Sequence, residues 1–510
     1  MLFRSEDQGH THFERREVAL QAIELLEANS DEVENRIDAL LSQCEIVPSK
    51  SDWIQLPTTF RAEHTLARSL TLVNHGKSSL PSILIDKALE WAQGKAGFQF
   101  AQMQDEALRQ ALSSKVSILT GGPGTGKTTI LRALVSILRA KKTKILLAAP
   151  TGRAAKRMSE STRHFAQTVH RLLKFDPSQG GFSMNEQNPL VCDYLIMDES
   201  SMLDTRLASA LVRALPSNAH LLLVGDADQL PSVGSGNVLK DLIECNLLPV
   251  TRLEVTFRQA DDSGIVGLAH SILSGKASPP PPLEPHSALP RTHDVHFIRA
   301  ETPEECVRVV CDLYKRVLPK TFGVNPKNDL QVLAPLHRGV GGIGNLNDQI
   351  RDAINPNGAT HIMGSLLFRE GDKVIQTRNN YDKDVFNGDL GIISKVDNLN
   401  GILEIDFDNR LVKYERMEVT DLQPAYAITV HKSQGSEYPV VIFPLLKQHF
   451  MMLQRNLVYT GLTRAKKKVV FVGDPAAYAM AIRNNKTLSR ETDLIRKFQQ
   501  EFEPTQTPNR

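Results

Sequence analysis

A glycine-rich segment constrains the fold of this chain more than any other feature of its sequence. Residues 121–128 read GGPGTGKT, directly after an apolar stretch at 116–119 and directly before a helical stretch at 129–140. In this order of strand, loop and helix, the glycines let backbone N–H groups close around an anion, and the helix N-terminus adds the positive end of its dipole. The pattern predicts a buried parallel strand that ends in a phosphate-binding loop. A glycine-rich turn without a ligand is the alternative.

The spacing G-x-x-x-x-G-K-[ST] indicates ATP and Mg²⁺ as the ligands of this loop. Lys127 is placed to reach the β and γ phosphates, and Thr128 is placed to ligate the metal ion. The predicted nucleotide-binding residues are those of the loop and the first residues of the helix: Gly121, Gly122, Pro123, Gly124, Thr125, Gly126, Lys127, Thr128 and Thr129.

Two carboxylates follow another apolar stretch, at residues 194–197. A carboxylate at the end of a strand can hold the Mg²⁺ bound by Thr128, and a second one can orient and deprotonate the attacking water. We assign Asp198 to the metal and Glu199 to the water. Gln229, in the segment GDADQLPSVG, is placed to sense the γ-phosphate. A turn rich in Asp and Gly is the alternative for that segment.

The composition narrows the class of protein without indicating a function. At 510 residues the chain is long enough for about two to four domains, and 41% hydrophobic residues are typical of a globular protein. The 60 Lys and Arg against 58 Asp and Glu leave a net charge of +2, which neither indicates nor excludes nucleic acid. Five scattered cysteines argue against a disulfide framework. With neither a signal core nor a membrane-spanning run, we expect a cytoplasmic protein and no membrane partner.

The pattern of apolar residues changes along the chain and predicts several domains. A proline-rich stretch at 279–290 reads as a linker, and short alternating runs at 391–414 favour a small antiparallel barrel. Buried parallel strands are predicted at 116–119, 144–148, 194–197, 220–224, 331–334, 440–443 and 469–472. The boundaries that we predict are 1–97 for an N-terminal helical domain, 98–250 for a first α/β domain with a hairpin insertion at about 174–190, 251–370 and 423–490 for the two parts of a second α/β domain, 371–422 for the barrel, and 491–510 for a C-terminal tail.

Two arginines lie in apolar segments far downstream of the glycine loop. Arg258 is in LEVTFRQ and Arg464 is in YTGLTRAK. Phosphoryl transfer needs cationic donors at the γ-phosphate, and an arginine from a second domain couples hydrolysis to domain closure. Alone, either arginine is more often a surface salt-bridge partner. Together with the segment TVHKSQGSE, residues 429–437, the two arginine segments complete a set of motifs downstream of the nucleotide site.

Eight segments together resemble the ordered motifs of the superfamily 1 helicases. They are GGPGTGKTT, APTGRAAKRM, TVHRLL, IMDESSMLD, GDADQLPSVGSGNVL, LEVTFRQ, AITVHKSQGSE and YTGLTRAKK, and their wording is closest to the RecD-like DNA helicases of bacteria. The resemblance runs from about residue 98 to residue 474. It implies an α/β fold with two RecA-like P-loop motor domains with parallel sheets, the N-terminal helical domain and an inserted SH3-like β-barrel.

The resemblance also implies roles for single residues. Gln104 would read adenine, and Arg258 and Arg464 would be the two arginine fingers. The hairpin near residues 175–183 would split DNA strands, although a plain hairpin is the alternative. The residues implied to contact DNA are Pro150, Thr151, Gly152, Arg153, Thr168, His170, His337, Arg338, Thr429 and His431. Because such groups hold phosphates, binding should be nearly independent of base sequence.

Three functions remain open at this point. The first is an ATP-dependent DNA helicase of 5′-to-3′ polarity that acts as a monomer on single-stranded DNA and duplex junctions in repair or recombination, with recombination or single-strand-binding proteins as candidate protein partners. The second is an ATPase subunit of a larger recombination complex, weak alone. The third, a nucleotide switch that binds no DNA, does not explain Arg464, His431 or Arg338. Longer RecD-like enzymes carry a helix-hairpin-helix region ahead of the helical arm, and this chain has too little N-terminal sequence for one.

Overall fold

The computed structural model describes residues 6–176, 178, 180–254, 263–285, 287–363, 366–380, 382–485 and 490–502. Its first part is a helical region with a small sheet that the sequence did not predict. Strands β1, β3 and β2 pair antiparallel in that order, and apolar residues of the first two helices pack beside them. The elements are β1 His12–Glu14, α1 Arg15–Leu26, α2 Ser30–Ser42, β2 Val47–Pro48, β3 Trp53–Gln55, α3 Pro57–His75 and α4 Ile85–Ala96.

The next part is built on a six-stranded parallel sheet, here called the first sheet, with the strand order β11-β4-β10-β9-β5-β6. Its elements are α5 Gln102–Ser113, β4 Val116–Gly121, α6 Lys127–Ala140, β5 Ile145–Ala149, α7 Gly152–Thr162, β6 Ala166–Thr168, α8 Val169–Leu172, β7 Phe175–Asp176, β8 Gly181–Phe182, β9 Tyr194–Met197, α9 Thr205–Arg213, β10 His220–Gly225, α10 Val238–Glu244 and β11 Val250–Leu253.

Helices cover both faces of the first sheet, which explains why β4, β9 and β10 are buried at every position. Alternate residues of each strand face opposite sides, so Leu119 packs with helices α4 to α7 while Ile118 packs with α3, α9 and α10. Continuous apolar runs are what such doubly covered parallel strands require. The predictions of strands at 116–119, 144–148, 194–197 and 220–224 are therefore confirmed.

A second six-stranded parallel sheet, here called the second sheet, has the order β12-β13-β24-β23-β14-β22. The strands predicted at 331–334, 440–443 and 469–472 lie within it, so the prediction of two parallel α/β sheets is confirmed. Its elements, and those inserted in it, are α11 Gly264–Leu273, β12 Pro282–Leu283, β13 Val295–Arg299, α12 Pro303–Asp312, α13 Leu318–Phe322, β14 Leu330–Ala334, α14 Ile343–Ile354, β15 Thr360–Met363, β16 Leu366–Arg369, β17 Lys373–Gln376, β18 Leu390–Asp397, β19 Ile402–Phe407, β20 Arg410–Tyr414, β21 Leu422–Pro424, β22 Ala427–Thr429, β23 Tyr438–Leu445, α15 Arg455–Thr463, β24 Ala465–Gly473, α16 Pro475–Arg483 and α17 Leu494–Phe502.

The insertion between β14 and β22 carries a five-stranded antiparallel sheet in the order β20-β19-β18-β17-β21. Inward residues such as Ile393, Leu403, Ile405 and Tyr414 form its separate core. The alternating runs seen in the sequence at 391–414 are these strands. Outward positions on β18, β19 and β20 are more exposed, as expected when one face of a sheet is packed and the other faces solvent.

Two expected boundaries differ from the structure. Strand β11, Val250–Leu253, pairs with β4 and so completes the first sheet rather than opening the second domain. Residues 491–510 were expected to be a tail, but residues 494–502 form helix α17, which contacts α3 and α10 and whose Leu494 and Phe498 are fully buried. The apolar stripe of α17 needs a partner surface, and only the folded chain provides one. Among the described helices, none combines the length and the apolar character needed to cross a membrane.

Candidate nucleotide and DNA sites

The glycine loop lies between β4 and α6, with its backbone in the conformation that only glycine adopts readily. Gly124 has φ of 77° and Gly126 has φ of 91°. A Cβ on Gly121 would lie 2.8 Å from a backbone oxygen of β11. The ammonium group of Lys127 donates to the carbonyl oxygens of Gly122, at 2.8 Å, and of Gly121. The cation is thus held at the mouth of the loop, at the N-terminus of α6.

The acid pair Asp198 and Glu199 follows β9, which lies two strands from β4 in the first sheet. The Asp198 carboxylate accepts a hydrogen bond from the N–H of Glu199 at 2.8 Å, and Glu199 takes a left-handed conformation with φ of 50°. Burial and the charge of Glu199 raise the pKa of Asp198, whereas Lys127 and Arg157 lower it. A desolvated carboxylate beside a second one favours a bound cation.

Gln229 lies in the loop after β10 and faces the same cleft. Its Nε2 donates to Oδ2 of Asp226 at 3.0 Å, and its Oε1 is buried without a hydrogen-bond partner among the described residues. Tyr459, from the second α/β domain, donates its hydroxyl to the same Asp226 oxygen at 2.9 Å. A buried amide oxygen without a partner is costly, so this position suits a ligand or a water.

The second α/β domain closes the cleft from the other side. Arg464, at the end of α15, is only 3% exposed, and its Nη1 donates to the carbonyl of Ser436 at 3.2 Å. Leu230 bridges the domains through its backbone: its N–H donates to Thr460 Oγ1 at 2.9 Å and its carbonyl accepts from Gln434 Nε2 at 2.8 Å. The other predicted finger, Arg258, lies outside the described residues.

A cavity of about 380 Å³ brings these groups together, within the size range of small-molecule sites. Of the predicted residues it is lined by Gly122, Pro123, Gly124, Gly126, Lys127, Thr128, Thr129, Asp198, Glu199, Gln229 and Arg464. A second cavity, of about 420 Å³, lies on the other side of the loop and is lined by Gly121, Thr125, Arg252, Tyr459 and residues of α11. Gln104 lines neither cavity, because its Oε1 accepts from the N–H of Ala101 at 3.2 Å at the start of α5.

Sequence reasoning missed three residues of this cleft. Arg157 of α7 lies 3.1 Å from the carboxylate of Glu437 and donates to the carbonyl of Gly435 at 3.2 Å. It follows Arg153 by four positions on one helix, a spacing that places both on the same face. Tyr459 and Gln434 were inside recognised segments, but only their contacts across the cleft show that they join the two domains.

The predicted DNA contacts lie at the carboxyl ends of β5, β6, β14 and β22. In each sheet these are the last two strands on one side. The segments that follow β5 and β22 approach each other. The guanidinium of Arg153 lies 5.3 Å from the ring of Tyr438, and a Cβ on Gly435 would lie 3.2 Å from Thr151 Oγ1. The residues are Pro150, Thr151, Gly152 and Arg153 after β5, Thr168 and His170 at the end of β6, His337 and Arg338 after β14, and Thr429 and His431 at the end of β22.

Three of the threonines predicted to contact DNA cap the helical turns that follow these strands with their hydroxyl groups. Thr151 accepts from the N–H of Ala154 at 3.3 Å, Thr168 accepts from the N–H of Arg171 at 3.2 Å, and Thr429 accepts from the N–H of Lys432 at 3.0 Å. Backbone N–H groups at such turns point towards the strand ends and can bind phosphate oxygens.

The histidines of this surface have lowered pKa values. Burial lowers the pKa of His170, of His337 and of His431 from 6.5, assisted by Lys432 at His337 and by Arg490 at His431. His170 packs against Phe175 and Phe182, with ring centroids 5.8 and 5.7 Å away, and so supports the hairpin formed by β7 and β8. The lowered pKa values disfavour positive charge on these histidines, so arginine and lysine are the expected cations for a phosphate backbone.

The barrel lies against this surface of the first domain. Phe386 packs so closely on Gly152 that a Cβ there would lie 2.3 Å from the phenylalanine Cβ. Lys156 pairs with Asp408 at 2.6 Å. A cavity of about 440 Å³ remains between the barrel and the strand ends. A strand that follows the predicted contacts would pass beside the barrel.

Three family models match parts of this chain. Residues 104–235 match the AAA domain family, residues 424–472 match the UvrD-like helicase C-terminal domain, and residues 346–407 match the ATP-dependent RecD-like DNA helicase SH3 domain. A Pif1 helicase from Bacteroides, solved with ADP-AlF3 and ssDNA, is 17% identical with a TM-score of 0.45, over 73% of this chain and 92% of that one.

Two curated relatives carry the assignment. The ATP-dependent RecD2 DNA helicase of Deinococcus radiodurans is 34% identical over 90% of this chain, and the chain spans 61% of the length of that relative. The RecBCD enzyme subunit RecD of Mycolicibacterium smegmatis is 31% identical over 76% of this chain and 73% of that protein. This degree of identity extends over most of both chains, and the chain therefore belongs to the RecD-like family of helicases.

Proposed function

We propose that this chain is an ATP-dependent DNA helicase that moves along single-stranded DNA and couples ATP hydrolysis to duplex unwinding. The observation that supports the proposal most is the cleft between the two sheets. One cavity there is lined by the glycine loop and the acid pair of the first domain and by Arg464 of the second. A nucleotide bound between two domains can change their relative position when it is hydrolysed, which is the requirement for a motor.

The residues of the cleft divide the chemistry between the two domains. Lys127 and the loop amides would bind the β and γ phosphates of ATP, Glu199 would orient and deprotonate the attacking water, and Arg464 would stabilise the charge that develops on the γ-phosphoryl group. Arg258 keeps the second finger role as a prediction. We place the adenine base in the cavity of about 420 Å³ beside Tyr459, and adenine reading by Gln104 stays a prediction.

The donor set fits Mg²⁺. The Thr128 hydroxyl and the Asp198 carboxylate line one cavity, and hard oxygen ligands of this kind are those that Mg²⁺ prefers. Burial and Glu199 raise the pKa of Asp198 although Lys127 and Arg157 lower it, so a cation bound there would stabilise the charged form of the carboxylate. When bound, Mg²⁺ would neutralise charge on the phosphates.

The strand ends of both sheets form the proposed DNA track. Capped helical turns and the arginines Arg153 and Arg338 would hold phosphates without reading bases. We propose 5′-to-3′ movement on the family resemblance, and strand separation at the β7–β8 hairpin. Opening a base-pair step costs about 1.4 kcal/mol on average, so a wedge at the junction lowers the work left to the motor. Single-stranded DNA and duplex junctions are the proposed partners, with a monomer acting in the cytoplasm.

A second candidate is an ATPase subunit of a recombination complex, weak by itself. The similarity to the RecD subunit of a RecBCD enzyme, over 73% of that protein, favours it. Strand displacement on duplexes with 5′ or 3′ single-stranded tails tests both candidates. Unwinding of the 5′-tailed duplex by the purified chain supports the helicase with its polarity. DNA-stimulated hydrolysis without unwinding would favour the subunit, and the absence of DNA-stimulated hydrolysis would exclude both.

A further inference from the structure

An arginine near the C-terminus is inserted into the loop that carries the γ-phosphate sensor. Arg490 donates through Nη2 to the carbonyl of Ser232 at 2.7 Å, and through Nη1 to the carbonyls of Gly234 and Gly236 at 2.9 and 2.7 Å. These carbonyls follow Gln229 in the segment 225–236. A planar guanidinium with five donors can hold several oxygens in a fixed arrangement, which lysine cannot do.

The glycine Gly9 closes the opposite side of this contact. A Cβ on Gly9 would lie 2.3 Å from the guanidinium carbon of Arg490, and the carbonyl of Gly9 accepts from the N–H of Gly236 at 2.9 Å. Burial lowers the pKa of Arg490 to about 10, while Asp241 and Asp204 raise it. The side chain therefore stays charged at neutral pH, and charged donors form stronger hydrogen bonds than neutral ones.

The segment that carries Arg490 is firmly fixed to the N-terminal region. Glu63 of α3 is fully buried and accepts four hydrogen bonds, two of them from this segment: the N–H of Asp493 at 3.2 Å and the ammonium of Lys497 at 2.8 Å. The other two come from Thr11 at 2.6 Å and Gln55 at 2.7 Å. Because α17 is anchored in this way, Arg490 has a fixed base from which to hold the loop.

The other end of the same loop is held by the second domain. Leu230 bonds to Gln434 and Thr460, and Asp226 bonds to Tyr459, as described above. Gln434 follows the predicted DNA contact His431 in the same segment, and His431 lies close enough to Arg490 to be affected by its charge. The loop of residues 229–236 therefore lies between a contact with the second domain and a contact with Arg490.

We propose that Arg490 is a positioning residue that holds the loop of residues 229–236 in place, so that nucleotide at Gln229 and DNA at the His431 segment affect each other's binding. A loop held at only one end could follow the second domain without resistance, and the state of the nucleotide would not be transmitted. The inference deepens the proposed helicase function and rests on it. The alternative is that Arg490 only stabilises the fold.

Thermodynamic coupling separates these two roles. The measurement is the dissociation constant of a fluorescent oligothymidylate, with and without a non-hydrolysable ATP analogue, for wild type, Arg490→Ala and Arg490→Lys. Coupling between two sites typically changes an affinity about 5- to 150-fold. We expect a factor in that range for wild type and a factor below about 2 for Arg490→Ala. Each ligand alone should bind nearly as in wild type, because Arg490 contacts neither. Arg483→Ala, an exposed arginine seven positions earlier, is the matched control and should behave as wild type.

Every outcome bears on the proposal. Wild-type coupling in Arg490→Ala overturns it, whatever the change in melting temperature. If Arg490→Ala does not fold, Arg490→Lys provides the test, because lysine keeps the charge but cannot span the three carbonyls. Reduced coupling in Arg490→Lys supports the positioning role, and full coupling overturns it. If wild type neither binds the oligothymidylate nor shows DNA-stimulated hydrolysis, the helicase function fails, and the positioning role fails with it.

Discussion

Five strands of each parallel sheet follow the chain in the same order, yet a phosphate-binding loop follows only a strand of the first sheet among the described residues. In the first sheet the chain runs from β4 to β5 and β6 and then returns through β9 and β10. In the second sheet it runs from β13 to β14 and β22 and returns through β23 and β24, at the same positions in the strand order. The sheets differ in their edge strand, because β11 closes the first sheet last and β12 opens the second sheet first.

The loops after β4 and β13 show what the difference depends on. After β4, two glycines with positive φ expose backbone N–H groups at the start of α6. After β13, the chain reads Ala-Glu-Thr-Pro, and Thr302 caps α12 by accepting from the N–H of Glu305 at 3.2 Å. The Glu305 carboxylate in turn accepts from the N–H of Glu301 at 3.0 Å. The start of α12 thus carries the carboxylates of Glu301, Glu304 and Glu305, which disfavour a bound anion, whereas the first domain has the glycine loop and Lys127 at this position.

The two sheets thus provide similar scaffolds, and the residues of the loops that follow their strands determine what each domain can bind. The second domain contributes Arg464 to the cleft and the segment after β22 to the proposed DNA track. The loops after β4 and β13 therefore account for a glycine-rich phosphate-binding pattern in one of two similar domains.

The largest effect is expected from the loop that distinguishes the two sheets. Lys127→Ala should abolish DNA-stimulated ATP hydrolysis, because the phosphates lose their cationic donor. The fold should survive, since the bonds of the Lys127 ammonium to described residues are to carbonyls of its own loop. The matched change in the second loop, Glu301→Ala, should leave turnover unchanged. A wild-type rate in Lys127→Ala would show that the loop does not bind the nucleotide.

The next effect tests the contribution of the second sheet. Arg464→Ala should lower hydrolysis at saturating single-stranded DNA by about 10³-fold, as loss of an arginine finger does, with a smaller effect on ATP binding. Arg464→Lys should restore little, because lysine lacks the planar donor geometry. Steady-state rates and nucleotide titration measure the two effects, with exposed Arg483→Ala as the control. Near-normal turnover in Arg464→Ala would place the arginine outside the chemistry.

A smaller loss is expected at the water-orienting carboxylate. Glu199→Gln keeps the shape of the side chain and removes the base, so turnover should fall by at least about 10²-fold while ATP and DNA still bind. Single-turnover hydrolysis and equilibrium binding separate the two. If nucleotide binding were lost as severely as hydrolysis, Glu199 would belong with the metal ligands.

The smallest effect concerns the loop of the second sheet. Thr302→Ala removes the cap of α12 and should cost about 1 kcal/mol of stability, seen as a lower melting temperature, with unchanged hydrolysis. Thr128→Ala in the first loop should do the reverse and lower hydrolysis with little change in melting temperature. Loss of hydrolysis in Thr302→Ala would mean that the second loop acts on the nucleotide, and the contrast between the loops would fail.

The local sequence was sufficient for the strands, the phosphate loop and the acid pair. An apolar strand and the loop after it are adjacent in the chain, so their relative position depends only on backbone geometry. The parallel strands predicted at 194–197 and 220–224 are β9 and β10 for this reason. The alternating runs at 391–414 also predicted the barrel, because its strands and the turns between them are local signals.

Contacts between distant segments could not be obtained in this way. In the structure, Oε1 of Gln104 accepts from the N–H of Ala101, a contact that the residues around it do not indicate, and its role at adenine stays a prediction. Residues 494–502 were expected to be part of a tail, because the apolar stripe of α17 is buried only when it packs against α3. Tyr459 and Gln434 lay inside predicted motifs, yet their contacts with Asp226 and Leu230 follow from the approach of two domains.

By itself, the sequence determined the two-domain α/β architecture, the open phosphate loop and the residue types available for ATP and DNA. The tertiary structure decided which groups meet: Arg464 with Lys127 and Glu199, and Arg490 with the sensor loop 258 positions before it. Backbone conformation and burial pattern are local properties that each segment carries. Contacts between segments hundreds of residues apart depend on the packing of whole sheets and helices, which no short pattern encodes.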